Sequence, residues 1–302
     1  MKVVVTGATG FVGQEVVKQL LVAGDEVIVL TRNVAKAAIT LGSSCRYYQW
    51  KDEDSLPPME ALEAVDGVIN LMGETISKRW DEPQKKKIYN SRINGTRKLV
   101  EAIEKLKVKP KVLVSTSAVG IYGNRGPEEI NESSSLADDF LAKVCKDWEN
   151  EANKAKNYGL RVVMIRLGIV LGRKGGALAK MLPIFKLGLG GRLGSGNQYM
   201  SWIHVRDVAT MFIEALKNNE LKGVFNGTSP YPATNSEFTK QLGKALGRPA
   251  IFPVPSIALK IALGEMSQLL LEGQKVFPAK FKEAKFRYRY STLEMALKET
   301  AY

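Results

Sequence analysis

"KVVVTGATGFVG", Lys2 to Gly13, decides the fold. A β-prone run enters a turn with glycines at 7, 10 and 13, and apolar helical periodicity follows over Gly13–Ala23. A strand that leaves a glycine turn as a helix exposes that helix's first amides and its partial positive charge. Glycines there let the backbone approach a pyrophosphate closely. The spacing therefore marks Gly7, Thr9, Gly10, Phe11, Val12 and Gly13 as candidate dinucleotide contacts.

The end of the next strand discriminates between dinucleotides. An NAD site places a carboxylate there to hold the ribose 2′-hydroxyl, which would repel a 2′-phosphate. The chain instead reads "VLTRN" at 29–33, with Thr31, Arg32 and, nearby, Lys36. A guanidinium pairs with phosphate through charge-assisted hydrogen bonds, so the expected cofactor is NADP(H).

Downstream, short apolar runs alternate with helical patterns: "EVIVLTR", "RYYQW", "GVINLMG", "KVLVSTSA" and "RVVMIRLGIVLG". Strands without polar alternation, separated by helices, predict an α/β fold with a doubly wound parallel sheet of Rossmann type. The second half changes character. "GLGGRLGSGNQYMSW" (188–202) is too long and glycine-rich for a tight connection, "GRPAIFPVPS" carries three prolines, and 257–278 reads as helix with a break near Gly264. The expected division is 1–172 as the NADP-binding domain and 173–302 as a smaller C-terminal cap lobe, with segments at about 200–230 returning to the sheet.

Composition narrows the function classes. The 302 residues are 45% hydrophobic and 25% charged, as in a globular protein, and no apolar run is long enough for a membrane span. Two cysteines and the single histidine, His204, exclude a disulfide framework and a multi-histidine metal site, so no metal is expected. The 44 basic against 31 acidic residues leave a net charge of +13. These charges are dispersed outside any nucleic-acid module, so a phosphate-bearing cofactor or substrate is the expected partner. Met1 runs straight into the first strand, which predicts a cytoplasmic protein, or one of an organelle stroma after removal of a transit peptide.

"TGATGFVG", "NLMG" at 70–73, "NGT" at 94–96, "STSAVGIYG" at 115–123 and "WIHVRDVA" at 202–209 together resemble the extended, epimerase-like branch of the short-chain dehydrogenase/reductase superfamily. "DFLAKVCKDWE", the 175–208 segment and "LLLEGQKVFPAKF" are similar to one atypical subfamily, described as epimerase-family proteins or NADP-dependent oxidoreductases. Some of its members are labelled cell-division inhibitors, and the plant relative is a chloroplast-division protein. The resemblance implies cofactor contacts at Leu71, Met72 and Gly73, at Arg92 with Lys87 near it, and at Val170 beside the nicotinamide; Glu74, directly after "NLMG", is placed to approach the nicotinamide as a cofactor contact or a proton-transfer group. It also implies that Ser117 orients a substrate oxygen; in the glycine-rich segment, Arg192, Ser195, Gln198 and Trp202 are candidate substrate contacts.

The resemblance further implies a Tyr-x-x-x-Lys pair on the helix at 138–149, where tyrosine exchanges the proton. None is present: Phe140 is followed four residues on by Val144, and Lys143 shares a face with Asp139, an expected surface ion pair. Two functions stand on these residues. One is an NADP(H)-dependent, epimerase-like oxidoreductase with an atypical active site and unknown small-molecule substrate. The other is an NADP(H)-sensing binding protein that acts through a protein partner, in cell or plastid division.

Overall fold

The computed structural model describes residues 1–51 and 54–301. Its elements follow the sequence as β1 (Lys2–Thr6), α1 (Phe11–Val22), β2 (Glu26–Thr31), α2 (Val34–Leu41), β3 (Cys45–Gln49), α3 (Met59–Leu62), β4 (Gly67–Asn70), α4 (Glu82–Lys105), β5 (Val112–Ala118), β6 (Gly126–Ile130), α5 (Phe140–Asn153), β7 (Arg161–Leu167) and β8 (Ile169–Leu171). The second half adds α6 (Gly176–Lys186), β9 (Tyr199–Met200), β10 (Trp202–His204), α7 (Val205–Lys217), β11 (Gly223–Gly227), β12 (Ala233–Thr234), α8 (Asn235–Leu246), α9 (Ser256–Leu263), α10 (Gln268–Leu271), β13 (Gln274–Val276), α11 (Ala279–Glu283) and α12 (Leu293–Ala301).

Seven strands form one wholly parallel sheet in the order β11-β7-β5-β4-β1-β2-β3. The chain winds outward from β1 through β2 and β3, then crosses to β4 and winds the other way. That reversal opens a crevice at the carboxyl ends of β1 and β4, where ligands sit in such sheets. Both faces are buried, which explains the unbroken "VVV" of β1. Val3 and Val5 enter a core with Val16, Leu20 and Phe212, while Val4 enters the opposite core with Leu99 and Ile103.

Two elements depart from the sequence reading. "RVVMIRLGIVLG" is two strands, because a side chain at Gly168 would collide with the Ser201 carbonyl. There the chain leaves the main sheet, and β8 pairs with β10. Within the expected helix over 257–278, a 3-10 turn at 264–267 separates α9 from α10, and β13 runs parallel to β6. Ser201 Oγ holds β13, donating to the Gln274 carbonyl at 2.6 Å and accepting from the Val276 amide at 2.9 Å.

A third core gathers Leu178, Phe185, Trp202, Phe238, Leu242 and Leu297 beneath the C-terminal helices. The 223–227 segment closes the main sheet as its edge strand β11. Among the described residues no helix is long and apolar enough to cross a membrane. Cys45 and Cys145 are buried free thiols.

Candidate functional site

The glycine turn faces the crevice. Gly7 has φ +64°, and a Cβ there would lie 2.5 Å from the Leu71 carbonyl oxygen; a Cβ on Gly13 would lie 2.7 Å from Ala8 Cα. The absent side chains draw β1, β4 and α1 into contact at the switch point. Gly10 is the N-cap of α1 with no side-chain cap, and the first turn carries no carboxylate. The leading amides and the positive end of the helix are thus left without a protein anion, as an anionic ligand requires. Thr9 accepts from Gln14 Nε2 through its carbonyl at 2.9 Å, Val12 packs into the core, and the Phe11 ring lies under Gly172, Gly175 and Gly176.

Beyond β2, the Thr31 hydroxyl accepts from the Asn33 amide at 3.3 Å, and Asn33 caps α2 by accepting from the Lys36 amide at 2.9 Å. These bonds shape the loop around Arg32, which is exposed while its carbonyl accepts from Gln49. Leu71 and Met72 pack on opposite faces of the sheet. The Glu74 amide donates to Ser91 Oγ at 2.9 Å. Burial alone would raise the Glu74 pKa, but Lys78 at 3.0 Å, with the Arg32 charge as a smaller contribution, holds it below its ordinary value. Val170 sits in the middle of β8, close to Gly176 and Phe11.

Arg92 reaches from α4 to Gly73, where a Cβ would lie 3.0 Å from its Cζ. Its Nη1 donates to the Ile88 carbonyl at 3.1 Å, and Cζ stands 5.3 Å from the centre of the Trp148 ring. Burial lowers its pKa, and no carboxylate lies within ion-pair distance of it among the described residues. Lys87 is exposed on the outer side of the same helix.

Helix α5 turns a different face to the strand ends than Phe140 and Val144. Phe140 packs on Trp80, and Val144 joins the cluster toward α4. Leu141 meets Gly120 beside the strand end, Cys145 lies among Ala118, Val119 and Tyr122, and Glu149 lies against Ser117. Burial first, then the Glu149 charge, pushes the Cys145 thiol up to about 12, so it holds its proton. Asp139 is the N-cap, accepting from the Ala142 amide at 2.9 Å, and Lys143 pairs with Asp147 at 2.9 Å, which replaces the expected Asp139–Lys143 pair.

Ser117 is 1% exposed and donates its one proton to Glu149 Oε1 at 2.7 Å. This differs from the expectation of a hydroxyl free to polarise a substrate oxygen: in this arrangement the serine has no proton left to offer a carbonyl. Glu149 also accepts two bonds from Arg166, at 2.7 and 2.8 Å, and Arg166 donates to Tyr122 Oη at 2.9 Å. Tyr122 in turn donates to Asn226 Oδ1 at 2.8 Å. A buried bidentate pair with its remaining valences filled ties β5, α5, β7 and β11 together.

A second network escaped the sequence reading. Asn70 accepts from Thr6 Oγ1 at 2.7 Å and donates to Thr96 Oγ1 at 2.9 Å and Ser115 Oγ at 3.2 Å. Thr96 also accepts from the Trp148 indole at 2.9 Å. The available signal was polar residues inside otherwise apolar strands, a pattern that buried sheets carry only where partners wait. Of the glycine-rich segment, Trp202 is fully buried and donates to the Tyr231 carbonyl, and Gln198 bonds the Leu193 and Leu270 carbonyls, so both shape the lobe. Arg192 and Ser195 are exposed. His204 caps α7, accepting from the Arg206 amide at 3.2 Å, and stacks on Tyr290 at 3.8 Å between ring centres. Among the described residues no cluster of metal ligands exists.

A wholly parallel, doubly wound sheet with an uncapped glycine turn at its switch point defines a dinucleotide-binding α/β protein of Rossmann type. Comparison with known proteins makes this specific: residues 3–226 match the NAD dependent epimerase/dehydratase family, and the chain belongs to that family. Residues 254–300 match a domain of unknown function, DUF1731. The chloroplastic SDR39U1 homolog of Arabidopsis thaliana, an epimerase family protein, is 44% identical over 99% of this chain and 86% of its own. The epimerase family protein YfhF of Bacillus subtilis is 41% identical over 99% and 97%. The crystal structure of human epimerase family protein SDR39U1 (isoform 2) with NADPH superimposes with a TM-score of 0.89 at 36% identity, covering 100% of this chain and 99% of that one.

Proposed function

We propose that this protein binds NADP(H) in the crevice between β1 and β4 and acts as an atypical epimerase-like oxidoreductase on a small substrate. The observation that carries this reading is the uncapped N-terminus of α1, set behind three glycines and followed at the end of β2 by Arg32. The first suits a pyrophosphate and the second a 2′-phosphate. NADPH in the human relative supports the same choice. Gly7, Thr9, Gly10, Phe11, Val12 and Gly13 hold the pyrophosphate, Thr31 and Arg32 the 2′-phosphate end, and Leu71, Met72, Gly73, Glu74, Arg92 and Val170 line the remaining wall. When bound, NADPH supplies a hydride.

The chain's own residues supply position, while the proton comes from water or substrate. Leu141 has no proton to exchange, and Cys145 holds its own. Loss of a general acid costs roughly two to four orders of magnitude in rate. Ser117 acts through Glu149, fixing the floor beneath the substrate. Fluorescence titration should show NADPH binding at least about ten-fold tighter than NADH, as an added charge-assisted pair predicts. Equal affinities overturn the NADP(H) assignment. A panel of carbonyl compounds, followed by NADPH absorbance, should give slow turnover.

The lack of a side chain that could exchange a proton at Phe140, Leu141 and Cys145 favours a second reading, in which the loaded protein is a sensor recognised by a protein partner. It predicts no turnover on that panel and partner capture that depends on NADPH.

A further inference from the structure

We propose that α9 and the segments paired beside it, 187–194 and 251–254, form a docking surface for an amphipathic helix of a partner protein, apolar along one stripe and acidic on its flanks. This goes beyond the cofactor reading and gives the protein-partner reading a surface. Helix α9 has no buried residue. Leu259 and Leu263 are half-buried on its inner side, whereas Ile257 and Ile261 are 70% and 75% exposed on its outer side. Leu187, Leu189, Ile251 and Phe252 are exposed as well. Single apolar side chains are ordinary on a surface, but a contiguous group marks an interaction site.

The backbone brings these residues together. The Phe252 amide donates to the Gly190 carbonyl at 3.0 Å, the Val254 amide to the Arg192 carbonyl at 2.8 Å, and the Gly194 amide to the Val254 carbonyl at 2.9 Å. A Cβ on Gly194 would lie 3.7 Å from Ser256, at the start of α9. Pro253 and Pro255 fix the backbone where the pairing hands over to the helix. The surface is therefore preformed, and docking orders little that is not already ordered.

The rim says what covers it. Residues 172–204 and 247–264 hold seven Lys and Arg and no Asp or Glu, where the average of the chain would place about five acids. Of the acids that follow α9, Glu265 pairs with Lys85 on α4 at 2.6 Å, and Glu272 is influenced by Asp139 more than by Lys260. The complementary occupant is negatively charged, and a second copy of the chain would set this basic rim against itself. The relief of α9 then separates a helix from a lipid surface. Ile257 and Ile261 stand four residues apart as a ridge, and the exposed Ala258 and Ala262 form a groove beside it. Ridges and grooves of this spacing are what a second helix packs into. A fluid hydrocarbon layer conforms to any relief and gains nothing from it.

The probe is a fluorescent synthetic helix of leucine, alanine and glutamate, with a counterpart carrying lysine for glutamate, each titrated by anisotropy against the full chain. The glutamate helix should bind at least about ten-fold tighter than the lysine helix. Ile261→Asn should weaken it by about ten-fold or more, as loss of a buried isoleucine predicts. Ala258→Leu decides between packing and adsorption: filling the groove should weaken the helix by about five-fold or more, whereas adsorption would tighten with the added apolar area. Both side chains are exposed, so the urea midpoints of the variants should match wild type. No binding of the glutamate helix, equal binding of the two helices, unchanged binding by Ile261→Asn or tighter binding by Ala258→Leu each overturn the proposal. Co-sedimentation with phosphatidylglycerol vesicles in place of helix binding assigns the surface to lipid, and a dimer that Ile261→Asn dissociates assigns it to a second copy; either also overturns it. NADPH titration of the same samples decides the cofactor reading separately, since neither substitution touches the crevice.

Discussion

The two halves of the crevice are built in opposite ways. Under β1 and β4 the wall is made of missing side chains and unspent backbone donors: Gly7, Gly10 and Gly13 open the turn, and α1 begins without a cap. Under β5 and β7 the floor is made of side chains whose hydrogen bonds are spent on one another: Ser117 on Glu149, Glu149 on Arg166, Arg166 on Tyr122 and Tyr122 on Asn226. The open half can receive a ligand; the saturated half can only hold its shape. Proton exchange with a substrate would need a free group on that second half, and here the face is Leu141 and Cys145. Binding and proton chemistry are thus separable in this fold.

The saturated half gives the largest expected effect. Arg166→Met removes the partner of a buried carboxylate and should destabilise the protein by about 3–5 kcal/mol in urea unfolding. The companion Glu149→Gln with Arg166→Met, which leaves no charge, should recover much of that loss. If the single and double variants are equally unstable, the ion pair is not what holds the floor.

His204 offers a pH-dependent test of a neighbouring element. It is 2% exposed, and burial, with smaller contributions from Arg206 and Arg289, lowers its pKa to about 4. The folded value lies below the unfolded one, so the unfolded chain binds the extra proton first. Stability from this group is complete above about pH 6.5, falls as pH drops toward about 4, and levels off below. The amplitude is about 3 kcal/mol. His204→Asn keeps an acceptor for the Arg206 amide and cannot titrate. The difference between wild type and variant in urea midpoint should therefore change over that window; a flat difference overturns the buried, neutral histidine.

The open half breaks in a different observable. Gly13→Ala puts a Cβ against Ala8 and Gly7 and must displace the turn. NADPH affinity should fall by about a hundred-fold, roughly 2.8 kcal/mol, with a smaller loss of stability. Arg32→Ala should leave the turn intact and lower NADPH affinity about ten-fold while NADH binding stays unchanged. If Gly13→Ala binds NADPH normally, the uncapped helix is not the anion site.

How much of this was legible in the sequence follows from the same contrast. The open half is written locally: strand, glycines and helix fall within residues 2–22, and Arg32 follows the next strand, so spacing alone marks them. The saturated half is written over long separations. Ser117 meets Glu149 after 32 residues, and Tyr122 meets Asn226 after 104, so no window of sequence contains both ends. Helical phase adds a further ambiguity. Counting four from Phe140 selects Val144, whereas packing against Gly120 selects Leu141 and hence Cys145. One residue of phase rotates a helix by about 100°, enough to exchange the face toward α4 for the face toward β5. A sharp bend at Gly168 is equally silent, because what forbids a side chain there is the carbonyl of Ser201.

The smallest expected effect tests whether α5 has any hidden chemistry on its outer side. Lys143 is the helix's nearest candidate for a displaced catalytic lysine, but it is two-thirds exposed and pairs with Asp147, which also accepts from Tyr89 Oη at 2.8 Å. Such an exposed pair contributes about 0–1 kcal/mol, since water screens it and ordering two flexible side chains costs entropy. Lys143→Ala should shift the urea midpoint by that little, leave NADPH affinity unchanged within about two-fold, and leave any turnover intact. A loss of cofactor affinity comparable to that of Arg32→Ala would mean that the ammonium reaches the crevice, against its pairing on the far face of the helix.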